Sequence, residues 1–448
     1  MSEPGRRSPR RSLGLVDATM VGIGAMIGAG IFVLTGLAAE TVGPGALAVF
    51  VGNGILTSFT ALSYAELAAA IPESGGGYAY VKEAFPEGVS FAMGWMLWFA
   101  YMLAGALYAV GFGGNLLEFL HVLGVAVPER VALGAVSVPL GQATLGAVVV
   151  VVFVALNAAS TSASGGAETF VTLVKVAVLL VFAGFGAFAV DLANFRPLFP
   201  HGAVAVLPAM GLTFVAFEGY DLIATVTEEV KNPRENIPRA IFYSLAVTVA
   251  VYLLVVFVAV GTVGAAALGR AGEAAIASAA QTFMPRIPLL GPGSSIVAFG
   301  AVFSTVSALN AVVLASSRVA FAMGREGQLG GGLGRIHPRF GTPFRAVVAS
   351  ASMMLFAIAF VPVRDVGNLT SLFFLLSFVL VNASAVYLRR RRPDLSRPYE
   401  MPLYPLPPIL GIAGNVVLGL FVGLDTWALG AAWLLLGGAV YIVLERRD

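Results

Sequence analysis

GLVDATMVGIGAMIGAGIFVLTG, residues 14–36, is the stretch of the sequence that decides the fold class. A membrane-spanning helix needs ~20 predominantly apolar residues, and this stretch meets that requirement. Glycines interrupt it at positions 22, 24, 28 and 30, and Gly28-Ala29-Gly30 lies near its centre. Glycine allows backbone conformations that other residues avoid. We therefore predict a transmembrane helix that is broken near its middle.

The composition of the whole chain indicates the same environment. Of 448 residues, 58% are hydrophobic and only 11% are charged, whereas soluble domains carry about 25% charged residues. A soluble fold of this length has too much surface for so few charges, and a lipid bilayer removes the conflict. The net charge of +2 gives no reason to expect nucleic acid as a partner. Cysteine is absent and the three histidines are far apart, so we expect no metal and no cofactor.

Apolar segments of spanning length recur along the chain and predict an all-α membrane protein with twelve transmembrane helices. The predicted spans are roughly 13–37, 43–70, 88–120, 139–160, 166–190, 205–226, 238–264, 294–322, 343–361, 367–388, 407–423 and 426–444. The loops between them hold most of the charge, for example RRRRPDLSRPYEMP at 389–402.

The distribution of lysine and arginine predicts the orientation of these spans. With a cytoplasmic N-terminus, nineteen of the 26 Lys and Arg residues fall on the inner side and five on the outer side. Cytoplasmic loops carry this excess in membrane proteins. We predict a multi-pass protein of the plasma membrane with both termini in the cytoplasm, and a basic cytoplasmic tail at residues 1–12.

The glycines of the first span allow two interpretations. An unwound segment exposes backbone N–H and C=O groups that lipid cannot satisfy, so a polar ligand could bind there. A half-helix that begins at Gly30 would direct its positive end toward an anion such as a carboxylate. Alternatively, Gly24 and Gly28 form a GxxxG pattern, which is typical of close helix packing.

The sixth span, in LPAMGLTFVAFEGYDLIATVTEEV at 207–230, favours the binding interpretation. Glu218 and Gly219 lie in its middle and Asp221 follows. Ionisable residues at membrane depth are expensive and are functional candidates. The first and sixth spans each begin a set of five, and broken helices at matching positions are the pattern expected of inverted repeats.

Four segments in a fixed order resemble a known family. They are GIGAMIGAGIFVLTG at 22–36, ALSYAELAAAIPESGGGYAYVKEAFPE at 61–87, FEGYDLIATVTEEVKNPRENIPRAI at 217–241 and LRRRRPDLSRPYEMPLYPLPP at 388–408. Together they resemble the amino acid–polyamine–organocation transporter superfamily, and they are most similar to its cationic amino acid transporter branch.

The resemblance implies a LeuT-like fold and secondary active transport of amino acids by alternating access. Two inverted repeats of five helices would occupy 13–190 and 205–388, and two extra helices would follow at 407–444. The substrate would lie at the breaks of spans 1 and 6. Its α-carboxylate would meet the backbone N–H groups of Gly28, Ala29 and Gly30.

The substrate ammonium is expected, from the same resemblance, at the backbone carbonyls of Met26, Val215 and Glu218. Val215, Phe217 and Gly219 complete the expected binding stretch, in the region where the family has its aromatic gate. Valine at 215 departs from that pattern. In the third span, Ala100 replaces an acid that the cationic branch carries. A preference for cationic over neutral amino acids therefore does not follow from the sequence.

Lys175 is the most unusual residue of the fifth span. It lies about ten residues from Gly165, which places it ~15 Å along a helix and near the centre of a ~30 Å hydrocarbon core. Proton-coupled relatives resemble this chain in placing a lysine ammonium where sodium-coupled relatives hold an ion between spans 1 and 8. Ser304 and Thr305 would supply oxygens there. The alternatives are an ion pair of Lys175 with Glu168 and ordinary packing of span 8.

Other functional classes are weaker interpretations of this sequence. A channel needs rings of repeated polar residues around a pore, and a membrane enzyme needs clustered catalytic groups. The sequence has neither pattern, so we expect no enzymatic activity. A sensor of amino acids built on a transporter fold stays open as an alternative. The expected partners are a small amino acid substrate, protons and the lipid bilayer.

Overall fold

A computed structural model describes residues 11–72, 75–128, 130–133, 136–159, 165–287 and 291–445. The first half of this described part is helical apart from a short antiparallel hairpin of β1 (Arg130–Leu133) and β2 (Val136–Pro139). Its helices are α1 Leu15–Met26, α2 Ala29–Val42, α3 Ala46–Ala70, α4 Gly77–Ala84, α5 Glu87–Val122, α6 Gln142–Ala159 and α7 Gly165–Gly186.

The second half repeats this helical character, with one two-residue hairpin of β3 (Arg286–Ile287) and β4 (Gly291–Pro292) in a loop. Its helices are α8 Val206–Thr213, α9 Tyr220–Thr225, α10 Pro233–Val263, α11 Ala265–Ala271, α12 Ala275–Phe283, α13 Ser294–Arg325, α14 Phe344–Phe360, α15 Val363–Arg391, α16 Leu406–Leu420 and α17 Leu424–Glu445.

The helical character predicted from the sequence is confirmed, and helices long and apolar enough to span a membrane are present. Within the described residues, 8 helical runs are long and apolar enough to cross a membrane, and one of them, Leu15–Ala70, contains the first two predicted spans. Three shorter apolar helices, at Gln142–Asn157, Phe344–Phe360 and Leu406–Leu420, coincide with predicted spans 4, 9 and 11. The number of twelve crossings therefore stays a prediction.

Helix α5 forms the centre of the packing. Its 36 residues extend about 54 Å at ~1.5 Å per residue, which is longer than a hydrocarbon core of ~30 Å. It packs against α13 and α15 along most of its length. It also packs against α14, where a Cβ atom at Gly105 would lie 2.7 Å from the Cε of Met354.

Glu66 connects α3 to the basic end of α15 and to the segment that follows it. Its carboxylate accepts hydrogen bonds from Arg389 Nε at 2.7 Å, Arg389 Nη2 at 2.5 Å and the backbone N–H of Met401 at 2.8 Å. The Nε of Arg397 lies 3.7 Å away. Glu66 is only 1% exposed, and a buried carboxylate requires such compensation.

The chain before α1 pairs with the segment after α9. The backbone N–H groups of Ser12 and Leu13 donate to the carbonyl of Glu229 at 2.9 and 3.0 Å, and the N–H of Lys231 donates to the carbonyl of Leu13 at 2.8 Å. Leu13 and Val230 form a parallel bridge. The ends of the first and sixth spans are thus joined. Residues 1–10 of the predicted basic tail lie outside the described residues.

Candidate functional site

The first span is interrupted near its centre, as the sequence predicts. Helix α1 ends at Met26 and α2 begins at Ala29, one residue earlier than the predicted start at Gly30. The N–H of Gly28 donates to the carbonyl of Met26 at 2.8 Å across this break. The first N–H groups of any helix have no intrahelical acceptor. The start of α2 therefore presents donors inside the protein.

Two helices from elsewhere in the chain contact the unwound part of the first span. Lys175 of α7 is fully buried, and its Nζ donates to the carbonyl of Gly24 at 2.7 Å. Ser304 of α13 donates its hydroxyl to the carbonyl of Ile27 at 2.7 Å, with the carbonyl of Gly28 at 3.4 Å. Carbonyls that leave the helical ladder thus gain partners from α7 and α13. The side chain of Glu168, the alternative partner considered for Lys175, lies outside the described part.

Thr305, the other residue of α13 that is predicted to supply an oxygen, differs from Ser304 in its contacts. Its hydroxyl lies 3.0 Å from the carbonyl of Ala301 and 2.8 Å from that of Val302, both on its own helix. Successive helical residues are rotated by about 100°. Ser304 therefore faces the break while the Thr305 hydroxyl bonds its own helix.

The sixth span breaks between α8 and α9. A 3-10 turn at Phe214–Phe217 follows α8, and Glu218 and Gly219 connect it to α9. Gly219 has a φ of 130°, a conformation that other residues rarely adopt. Asp221 accepts a hydrogen bond from the Gly219 N–H at 2.9 Å and from the Tyr101 hydroxyl at 2.5 Å. The break is thus stabilised by an acid from its own span.

The two breaks lie against each other. A Cβ atom at Gly30 would lie 2.7 Å from the Cα of Ala216, and one at Gly219 would lie 2.6 Å from the N of Met26. Tyr252 of α10 joins them, because its hydroxyl lies 2.5 Å from the carbonyl of Met26 and 3.0 Å from that of Ala216. The structure therefore brings together two segments that are about 190 residues apart in the sequence.

A small cavity lies beside the two breaks. Its volume of about 10 Å³ is room for roughly one water molecule, so the helices must separate to admit an amino acid. The lining residues are Ala25, Tyr101, Ala104, Tyr108, Glu218, Gly219, Leu222, Val312 and Phe374. Glu218 is 4% exposed, and neither of its carboxyl oxygens has a hydrogen-bond partner among the described residues.

The other residues predicted for the binding site surround this cavity without lining it. All are buried; they are Met26, Gly28, Ala29, Gly30, Val215 and Phe217. Phe217 packs against Phe50 and Tyr252 with ring centroids 5.8 and 5.4 Å apart. Two predicted ammonium acceptors are engaged: Tyr252 and Gly28 bond the Met26 carbonyl, and the N–H of Glu218 donates to the Val215 carbonyl at 3.2 Å.

Three tyrosines of the site were not predicted from the sequence. Tyr101 and Tyr108 line the cavity from α5, and a Cβ atom at Gly28 would lie 3.5 Å from the Tyr108 ring. Tyr101, Ala104 and Tyr108 are spaced by three and four residues, which places them on one helix face. That spacing is a signal the sequence contains. The third tyrosine, Tyr252, has no comparable signal.

A sequence model of the family described as "Amino acid permease" matches residues 13–441. The chain belongs to the amino acid permease family. It is therefore an integral membrane protein, and the superfamily resemblance of its sequence motifs is confirmed. No group of three or more His, Asp or Glu side chains that could hold a metal ion occurs in the described residues.

Three relatives of this permease are similar over almost its whole length. The branched-chain amino acid permease BcaP of Bacillus subtilis (strain 168) is 33% identical, over 99% of this chain and 95% of its own. The methylthioribose transporter of the same strain is 29% identical, over 98% and 95%. The serine/threonine exchanger SteT of that strain is 28% identical, over 98% of both chains. All three relatives are named as transport proteins.

Proposed function

We propose that this permease is a secondary active amino acid transporter of the plasma membrane, which works by alternating access. The observation that carries the proposal is the meeting of two broken helices at a buried cavity. Half-helix N-termini attract anions, and broken helices near mid-membrane are where transporters hold substrates. In this proposal twelve helices form a LeuT-like arrangement of 13–190 and 205–388 with two extra helices at 407–444.

The substrate's α-carboxylate binds the N–H groups at Gly28, Ala29 and Gly30, where α2 begins. Its ammonium binds the carbonyls of Met26, Val215 and Glu218. Binding must therefore release the Met26 carbonyl from the Tyr252 hydroxyl and from the Gly28 N–H, which the substrate carboxylate takes up. The proposal is supported by the close approach of Gly30 to Ala216 and of Gly219 to Met26, since the absence of side chains at these positions lets the two breaks, and their backbone groups, meet at one place.

The substrate side chain is neutral. The cavity walls supply apolar groups from Ala104, Leu222, Val312 and Phe374, and Ala100 is fully buried at the position where the cationic branch carries an acid. Of the described residues that line the cavity, Glu218 and the two tyrosines provide the polar groups. The similarity to BcaP makes branched-chain amino acids the first substrates to examine.

Transport is coupled to protons through Lys175. Its ammonium bonds the Gly24 carbonyl beside the break, and burial of a lysine favours its neutral form while a carbonyl partner favours the charged form. Charged Lys175, with Ser304, holds α1, α7 and α13 together in one conformation. Loss of the proton loosens them. Substrate release and proton release are then linked through one two-state equilibrium.

Uptake into liposomes tests the proposal. Purified protein in sodium-free buffer receives each of the twenty amino acids in labelled form, with and without an imposed inward proton gradient. We expect accumulation of neutral amino acids that depends on the gradient, and counterflow without it. Binding without counterflow would instead indicate a sensor. Rapid flux without saturation would indicate a channel. Uptake of methylthioribose but of no amino acid would indicate that this chain shares the activity of the methylthioribose transporter.

The orientation is tested separately by labelling. The chain has no native cysteine, so single cysteines report cleanly. We propose cytoplasmic termini, and a cysteine in 389–402 should therefore react only after permeabilisation of cells. Reaction of that cysteine from outside intact cells would contradict the orientation without affecting the transport proposal.

A further inference from the structure

Glu218 stands out among the buried acids of this protein. Both of its carboxyl oxygens are enclosed and neither has a hydrogen-bond partner among the described residues, although its side chain lines the cavity. Asp221, three residues later, bonds the Tyr101 hydroxyl and the Gly219 N–H. The same break therefore contains one acid whose carboxylate is hydrogen-bonded by described residues and one whose carboxyl group is not.

The described residues that line the cavity beside Glu218 include no lysine, arginine or histidine. Helices α1, α13 and α15 present Ala25, Val312 and Phe374 to the cavity. The titratable groups around Glu218 are Asp221 and Tyr220 of its own span, Tyr101 and Tyr108 of α5 and Tyr64 of α3. Burial of an ionised carboxylate without a partner is strongly unfavourable. This closed conformation therefore requires the neutral acid form of Glu218.

The cavity is too small for one group that could stabilise an ionised Glu218, the ammonium of a substrate. A space of about 10 Å³ does not hold an amino acid, so no substrate ammonium fits beside the carboxyl here. Glu218 could still ionise when a substrate binds. In that case the return of the transporter would carry one proton outward and cancel the inward proton of Lys175. A proton that stays on Glu218 throughout avoids this cancellation.

We propose that Glu218 remains a neutral carboxylic acid throughout the cycle and donates its O–H to an oxygen of the substrate carboxylate. This inference rests on the proposed function and adds a side chain to the recognition of the amino acid. An ionised Glu218 would repel a substrate carboxylate that enters this site when the helices separate. The neutral acid instead supplies a donor there, in addition to the backbone N–H groups of α2.

Substitutions at Glu218 separate the neutral acid from an ionised one. Glu218→Gln keeps the shape and a donor without a charge, so we expect amino acid binding within about threefold of wild type. Glu218→Met removes the donor, and we expect binding about tenfold weaker. An ionic role instead predicts a large loss of binding in both variants, because neither glutamine nor methionine carries a charge. Glu326→Gln, at a partly exposed ion pair with Lys82, is the matched control and should bind like wild type.

The pH dependence of counterflow is a second measurement that distinguishes wild type from Glu218→Gln. Ionisation of Glu218 at alkaline pH would prevent closure, so wild-type counterflow should fall as the pH rises. Counterflow by Glu218→Gln should persist to higher pH, because this side chain does not ionise. Identical alkaline limits in the two proteins would overturn the proposal.

Infrared difference spectroscopy tests the wild type without relying on a variant that folds. Each of the twenty amino acids is added in turn to the purified full chain at neutral pH. We expect a protonated-carboxyl band that shifts on binding but keeps its intensity, and that is missing from Glu218→Gln. Loss of the band on binding would show that Glu218 ionises and would overturn the inference alone. Absence of binding by every amino acid would overturn the proposed function as well.

Discussion

The two breaks at the centre of this permease are stabilised in different ways. The break of the first span contains no polar side chain of its own, and its carbonyls are bonded by Lys175, Ser304 and Tyr252 from three other helices. The break of the sixth span is also contacted by the Tyr252 hydroxyl, but it has in addition an acid of its own, Asp221, which accepts from a backbone N–H of the break. A change of charge on Lys175 would therefore act directly on the first break, whereas the second break contains Asp221 and presents Glu218 to the cavity.

This difference separates two tasks. In the proposed mechanism, proton coupling depends on the first break, because Lys175 contacts a backbone carbonyl there and would change its charge state during the cycle. In the same proposal, the substrate is recognised where both breaks meet, because glycines there let the two breaks approach each other closely. Changes at the glycines should therefore abolish binding, changes at Lys175 should abolish coupling, and changes of single hydroxyls should have smaller effects.

Gly30→Leu should give the largest effect. Its side chain would overlap Ala216, where even a Cβ atom lies 2.7 Å from the Cα. We expect amino acid binding to weaken by at least about 100-fold, measured by calorimetry on purified protein. Gly184→Leu is the control, since no atom lies within 4 Å of a Cβ there. Normal binding by a well-folded Gly30→Leu protein would make this glycine a packing residue only.

Lys175→Ala should abolish accumulation driven by a proton gradient. Counterflow, which needs no net proton movement, should be retained at a reduced rate. Lys175→Arg keeps a charge that does not leave in proteins, so we expect it to stop both activities. The measurement is uptake of labelled amino acid into sodium-free liposomes with and without a pH gradient. Accumulation by Lys175→Ala equal to that of wild type would assign the lysine to structure alone.

Tyr252→Phe tests the contact between the two breaks. The hydroxyl lies near the Met26 and Ala216 carbonyls, and its loss leaves two buried acceptors with fewer partners. We expect the free energy of unfolding to fall by about 1–3 kcal/mol, seen as a lower melting temperature in detergent. An unchanged melting temperature would mean that the tyrosine does not hold the breaks together. Tyr243→Phe, at a side chain that is 53% exposed, is the matched control.

Ser304→Ala should give the smallest measurable effect. It removes the hydrogen bond to the Ile27 carbonyl, which we expect to lower the free energy of unfolding by about 1 kcal/mol. Thr305→Val removes a hydroxyl that bonds only carbonyls of its own helix among the contacts described above, and we expect less than about 0.5 kcal/mol. Equal effects of the two substitutions would show that the break of the first span gains nothing from α13.

The sequence predicts the breaks and the helical class well because their physical signals are local. Clustered glycines in an apolar run, and Glu218 beside Gly219 in another, mark interruptions without knowledge of the fold. Lys175 is conspicuous for the same reason, since a charge in the middle of a span needs an explanation. The resemblance of four motifs adds the family and the expected position of the substrate.

Contacts between distant helices could not be predicted in the same way. Tyr252 meets Met26 across 226 positions, and nothing in either segment indicates the pairing. Ser304 and Thr305 are adjacent in the sequence, so a small rotation of α13 decides which hydroxyl faces the first span. The lack of hydrogen-bond partners for Glu218 among the described residues depends on every helix around it. It could not be predicted before the positions of α5, α13 and α15 were known.

The pairing of Leu13 with Val230 has a mechanical consequence. Helices α1 and α9 are short segments on the same side of the two breaks, and their outer ends are joined by backbone hydrogen bonds. Each break leaves its segment without a continuous helix on one side, near Gly28 and near Gly219. We therefore expect a tilt of α1 to displace α9 with it, so that the two segments move together when the transporter changes conformation.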